Sequence, residues 1–111
     1  LNPENHNAYI MKGWAEADLG KLDEAIETFT IVMQKTTPRE DLAYLYYCRG
    51  YVSYMNEDFQ SAIADYSNAI SRSLDSVDPG LFLNRAEAYE MTGQTYMAKQ
   101  DKDKYQELTS Q

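Results

Sequence analysis

The side chains in this sequence that could act on a substrate are few: one histidine, His6, and one cysteine, Cys48. Nucleophilic catalysis needs a Cys or Ser with a base positioned beside it, and these two residues fall on different predicted helices. His6 reads as an exposed residue at a helix start, and Cys48 as a small, inert apolar one. One of each makes no ligand cluster for a metal. Asp101-x-Asp103 lies in helical sequence without the glycine and glutamate of a calcium loop. The sequence has no glycine-rich phosphate loop. The acidic pairs Asp23-Glu24 and Glu40-Asp41 stand in predicted first turns, where the helix dipole favours carboxylates. No catalytic, cofactor-binding or metal-binding residue is therefore assigned, and no enzyme activity is expected.

Two arginines and a set of tyrosines remain. Arg49 and Arg85 each have an aspartate sixteen residues on, Asp65 and Asp101. Because the spacing recurs, it predicts the ion pairs Arg49–Asp65 and Arg85–Asp101 rather than a ligand site. Residues 42–55, LAYLYYCRGYVSYM, hold five tyrosines. At about 100° per residue, Tyr44, Tyr47, Tyr51 and Tyr54 fall within about 80° of helical arc. Tyr46, Gly50 and Ser53 lie on roughly the opposite side.

The totals narrow the setting. A net charge of −8 argues against nucleic acid, whose binding draws on Lys and Arg. It leaves room for a basic or apolar protein partner. No apolar run approaches the roughly 20 residues that span a bilayer. A single cysteine allows no internal disulfide, which fits a reducing, cytoplasmic compartment. The opening LNPENHN has neither the basic nor the apolar segment of a signal peptide and reads as a cut from a longer chain.

The elements that must position these residues recur. The stretches beginning at Tyr9, Tyr46 and Phe82 align without gaps, offset by 37 and then 36 residues. A basic residue follows each opener by three: Lys12, Arg49, Arg85. A small one comes next, Gly13, Gly50 or Ala86, and twelve residues further on lies Ala25, Ala62 or Ala98. In the first unit Lys12 and Thr28 hold the ion-pair positions, so no pair is expected there. Apolar residues recur at three and four, as in Ala25, Phe29, Val32 and Met33. Breakers fall at Gly20, at Asn56-Glu57-Asp58 and at Gly93. The spacing predicts helices over 5–19, 22–35, 38–55, 59–72, 79–92 and 95–108. Start signals are a capping box at Thr37-Pro38-Arg39-Glu40, Asp78-Pro79, and Asn2 or Asn5 around Pro3.

This pattern resembles the tetratricopeptide repeat family, whose units carry an aromatic, a small residue four later, a second small residue in helix B and an aromatic four after that. The first unit supplies Tyr9, Gly13, Gly20, Ala25 and Phe29; the second, Tyr46, Gly50, Ala62 and Tyr66; the third, Phe82, Ala86, Tyr89, Gly93 and Ala98. Glu57 departs from the glycine between helices, Glu16 and Ser53 from a helix-A aromatic, and Lys102 from the helix-B aromatic. The family period is about 34, which places extra residues near 35–38 and 72–79. The resemblance implies an all-α, right-handed solenoid of three antiparallel helix-turn-helix repeats, about 5–37, 39–74 and 78–109, within a longer chain. In the polar last helix, Met97, Tyr105 and Leu108 are the expected inward residues.

In that family, the side of helix A away from helix B lines a concave groove for peptides or helices. The resemblance thereby places a binding groove on Asn7, Ile10, Trp14 and Asp18, on Tyr44, Tyr47, Tyr51, Tyr54 and Met55, and on Leu83, Glu87 and Met91. Met11, Cys48 and Asn84 are expected beside it. The implied function is a protein-interaction scaffold, its partner carrying apolar or aromatic anchors and, against the acidic edges, basic ones. Alternatives are weak homo-oligomerisation through the aromatic face or an end helix, and a regulatory module of a larger multidomain protein. Family members that clamp the carboxylate of heat-shock chaperones use Lys, Asn and Arg. The matching positions here are Ile10, Trp14, Cys48, Gly80 and Asn84, with no cation among them, which argues against that activity.

Overall fold

In the computed structural model, which describes residues 5–35, 39–73 and 76–110, the three-and-four spacing of apolar residues becomes helix throughout. The elements are α1 (His6–Asp18), α2 (Leu22–Gln34), α3 (Arg39–Met55), α4 (Phe59–Arg72), α5 (Gly80–Met91) and α6 (Thr95–Thr109). Each end lies within one residue of the predicted one. Every helix packs on its neighbour in the chain, and the pairs α1–α2, α3–α4 and α5–α6 stack in order. The result is an all-α helical repeat solenoid.

The three intra-pair turns are one structure used three times. The N–H of Lys21, Asp58 and Gln94 donates to the carbonyl of Glu16, Ser53 and Tyr89, at 2.8, 2.9 and 2.9 Å. The residue before each of these donors donates to Ala17, Tyr54 or Glu90. This Schellman closure needs a left-handed residue. Gly20 (φ +80°) and Gly93 (φ +77°) supply it without strain, while Glu57 adopts φ +62° with a Cβ in place. Asp58 then caps α4, accepting from the Ser61 N–H at 3.3 Å and the Ser61 hydroxyl at 2.8 Å. Asp78 accepts from the Gly80 N–H at 2.9 Å, as the Asp78-Pro79 signal predicted. Asn5 makes no side-chain cap. Asn2, Pro3 and the capping box at Thr37-Pro38-Arg39-Glu40 lie outside the residues whose side chains are described, as do parts of the segments near 35–38 and 72–79.

Small residues set the distance within each pair. A Cβ on Gly13 would stand 2.7 Å from the Phe29 ring, and one on Gly50 3.0 Å from the Asp65 Cβ. Phe29 and Tyr66 pack into that space, fully buried. Two aromatic openers expected in the core are only half-buried: Tyr9 and Tyr46. The Tyr46 ring is flanked by the guanidinium groups of Arg49 and Arg72, 5.7 and 5.1 Å from its centroid. Of the inward residues expected on α6, Tyr105 and Leu108 are half-buried, whereas Met97 stays exposed.

A helical wheel divides α3 into two faces, but the structure gives it three. Leu45, Cys48 and Val52 are completely buried, packed with Ala17, Phe29 and Val32 of the preceding pair. Leu81 and Ala88 of α5 occupy the matching positions and pack with Ala62, Tyr66 and Ala69. The core therefore runs between repeats as well as within them, as stacking requires. On α1 the same register holds Ala8, Met11 and Ala15, all exposed.

Both predicted ion pairs form, each two-pronged. Arg49 reaches the carboxylate oxygens of Asp65 at 2.9 and 2.9 Å, and Arg85 those of Asp101 at 2.8 and 2.8 Å. The carboxylate bonds hold each guanidinium above its ordinary pKa, against the opposing effect of burial. Each arginine also donates to a hydroxyl on the preceding pair: Arg49 to Thr30 at 3.2 Å, Arg85 to Ser67 at 3.1 Å. In the first pair Thr28 instead donates to Glu16 at 2.6 Å, and Lys12 pairs with Glu16 at 3.5 Å.

Candidate functional site

The groove residues read from the sequence all lie on accessible surface. Asn7, Asp18, Tyr44, Tyr51, Met55, Glu87 and Met91 are exposed; Ile10, Trp14, Tyr47, Tyr54 and Leu83 are half-buried. Helical periodicity explains the alignment, since residues three and four apart stand above one another on α3. The ion pairs draw Arg49 and Arg85 toward helix B, away from the tyrosine face.

Four of these rings form a closed circuit across the seam between the first and second pairs. The Trp14 indole N–H donates to the Tyr44 hydroxyl at 3.3 Å. Tyr44 lies 6.2 Å from Tyr47, Tyr47 lies 6.0 Å from Tyr51, and Tyr51 meets Trp14 edge-on at 5.9 Å, centroid to centroid. Two buried helix-B rings support the circuit from below. Phe29 packs edge-on against Trp14 at 5.4 Å, and Tyr66 lies 6.3 Å from Tyr47. Such contacts add about 0.5–1.5 kcal/mol beyond area burial and hold the rings in place. Tyr44 and Tyr51 nevertheless remain 48% and 41% exposed, so ring area stays accessible to solvent. Tyr54, expected to act with the other three, instead packs edge-on against Phe59 of its own pair, at 5.3 Å.

The electrostatics are those of partly dry phenols beside carboxylates. Burial raises the Tyr44 and Tyr47 phenols above their ordinary pKa. Burial also raises Tyr54, with the charges of Glu87 and Glu90 adding to it. These rings act as neutral donors at physiological pH. Asp18, Glu87 and Glu90 are exposed along the same side.

Two expectations are corrected. Cys48, placed beside the groove, is completely buried in the seam between pairs. Burial pushes its thiol up to about 12, which removes the thiolate at neutral pH. His6 is half-buried rather than exposed. Sequence reasoning missed the Trp14–Tyr44 bond and the supporting rings Phe29 and Tyr66. The register held the signal, since Phe29 and Tyr66 are one position in successive units. Among the described residues, no three His, Cys, Asp or Glu side chains gather as a metal site, and no helix is long and apolar enough to cross a membrane.

No family model matches the chain, and no curated protein matches it significantly. Solved structures do. PcrH in complex with the chaperone binding region of PopB superposes with a TM-score of 0.84 at 16% identity, over 97% of this chain and 83% of that one. The first TPR of Spaghetti (RPAP3), bound to the HSP90 peptide SRMEEVD, gives 0.82 at 22% identity, over 98% and 82%. MamA gives 0.79 at 25% identity, over 97% and 60%.

Proposed function

We propose that this chain, whose fold is that of the tetratricopeptide repeats, is a protein-interaction scaffold that holds a peptide or helix segment on the side of its A helices. The observation that carries this is the aromatic circuit of Trp14, Tyr44, Tyr47 and Tyr51, braced from beneath and open above. Rings with polar tips on a rigid base are what interfaces enrich. A buried aromatic or aliphatic anchor on them is worth about 2 kcal/mol. The PopB region and the HSP90 peptide bound by two of the similar structures support a peptide ligand. The groove here carries carboxylates at Asp18, Glu87 and Glu90 and no cation at the clamp positions, so a terminal peptide as acidic as SRMEEVD does not suit it.

Trp14 is the only tryptophan and sits in the circuit, so its emission reports occupancy. Peptides selected by wild-type protein from a displayed random library should shift that emission and bind Tyr47→Ala/Tyr51→Ala at least about tenfold more weakly. Circular dichroism would confirm that the variant keeps its helices. Equal binding to both proteins rejects the groove. Self-association is a second reading, favoured by the exposure of Met11 (70%) on α1 and of Leu19 (72%) just past its end. A solution mass that rises with concentration, and falls back in Met11→Lys, would support it.

A further inference from the structure

The groove changes character along its length. In the repeat register Trp14, Tyr51 and Glu87 succeed one another, as do Ala17, Tyr54 and Glu90. Both rows run from apolar or aromatic side chains in the first two units to a carboxylate in the third. Lys102 neutralises Glu90 at 2.5 Å. Glu87 is exposed and, among the described residues, has no hydrogen-bond or ion-pair partner. No Lys or Arg occupies any of the twelve groove positions. The guanidinium groups nearest in sequence, Arg49 and Arg85, are already held by aspartates. α5 touches α3, and the repeat register sets Glu87 next after Tyr51 on that side of the stack. A cation arriving there meets an exposed carboxylate with no partner among the described residues, and a charge-assisted hydrogen bond can form.

We propose that the groove reads its ligand with a polarity: an aromatic or large aliphatic anchor on the Trp14–Tyr44–Tyr47–Tyr51 circuit, and a lysine or arginine at Glu87, one repeat further along. This rests on the groove reading above and adds the chemistry and order of the ligand. The spacing follows from packing. Adjacent helices lie about 8–10 Å apart, and an extended peptide advances about 3.3 Å per residue. Anchor and cation are therefore about three residues apart in an extended ligand. A carboxylate at the second position meets Glu87 as a like charge and is rejected.

Parallel selections of displayed random dodecapeptides on wild type, Glu87→Gln and Tyr51→Ala test this, with helicity checked for each protein. Wild type should enrich sequences carrying an aromatic or large aliphatic residue and a Lys or Arg about three positions away. Glu87→Gln should keep the anchor and lose the basic enrichment; Tyr51→Ala should lose the anchor. A selected peptide should bind Glu87→Gln about threefold to tenfold more weakly, and the gap should close with added salt. Anchor enrichment without basic enrichment on wild type overturns the proposal and leaves the groove standing. Basic enrichment that survives Glu87→Gln overturns it too. If wild type enriches nothing, groove and polarity fall together.

Discussion

Asp65→Asn keeps the shape of a side chain and removes its charge, and so measures what the ion pair joining α3 to α4 contributes. The Asp65 side chain is 7% exposed and that of Arg49 25%. Both carboxylate oxygens accept from Arg49 at 2.9 Å, and the same guanidinium reaches Thr30. An asparagine accepts one of the two bonds and turns its amide N–H₂ toward the other donor. Removing one partner of a buried ion pair costs about 3–5 kcal/mol. Water reaches part of Arg49, which lowers the expected loss to about 2–4 kcal/mol. At about 4 °C per kcal/mol for a domain of this size, the melting temperature should fall by about 8–16 °C. Urea unfolding followed by far-UV circular dichroism and by Trp14 emission gives the free energy. The double variant Arg49→Met/Asp65→Leu should lose less than Asp65→Asn alone, because it leaves no uncompensated charge. A loss below about 0.5 kcal/mol in Asp65→Asn, the range of ordinary surface substitutions, refutes the reasoning.

Two further outcomes follow from positions already described. Glu57→Gly relieves a left-handed residue with a Cβ and should raise stability by about 0.5–1 kcal/mol in urea unfolding; a loss would show that the Glu57 side chain contributes something the backbone does not reveal. Cys48 and the phenols of Tyr44, Tyr47, Tyr54 and Tyr66 all have pKa values raised in the folded state. Their contribution to stability is complete below the unfolded values and is lost as pH rises. For Cys48 that window opens near 9 and extends to about 12. Thermal melts should therefore move downward above about pH 9, and a thiol reagent near neutrality should label Cys48 only once urea has unfolded the chain. Prompt labelling of folded protein, or rising melting temperatures in alkali, would contradict the burial.

Much of the fold is legible in the sequence because a repeat states each signal three times. Gly20 and Gly93 mark their turns, and the sixteen-residue interval from Arg49 to Asp65 and from Arg85 to Asp101 announces two ion pairs. What escapes is contact across a repeat boundary. Leu45, Cys48 and Val52 form a third face of α3 because a stacked helix touches its own partner and the preceding pair, whereas a wheel distinguishes only inside from outside. The Arg49–Thr30 and Arg85–Ser67 bonds escape for the same reason. In the site, the angular stripe placed the tyrosines on one side. It did not separate Tyr54, whose ring finds Phe59 at the start of the next helix. Glu57 can adopt the conformation of a turn glycine, and Lys102 can stand at a helix-B aromatic position by pairing with Glu90, so the shape survives where the letters change.

The two arginines act as hinge pins. Each fastens three helices at one point on the helix-B side of the stack, and the two points define a line running from one repeat to the next. Deformations that leave both pins intact are rotations about that line. Such a rotation changes little near the pins and most at the edge farthest from them, where Trp14 meets Tyr51 across a seam. The ion pairs thus constrain the stack along the helix-B side, and the seam where Trp14 meets Tyr51 is held by ring contacts instead.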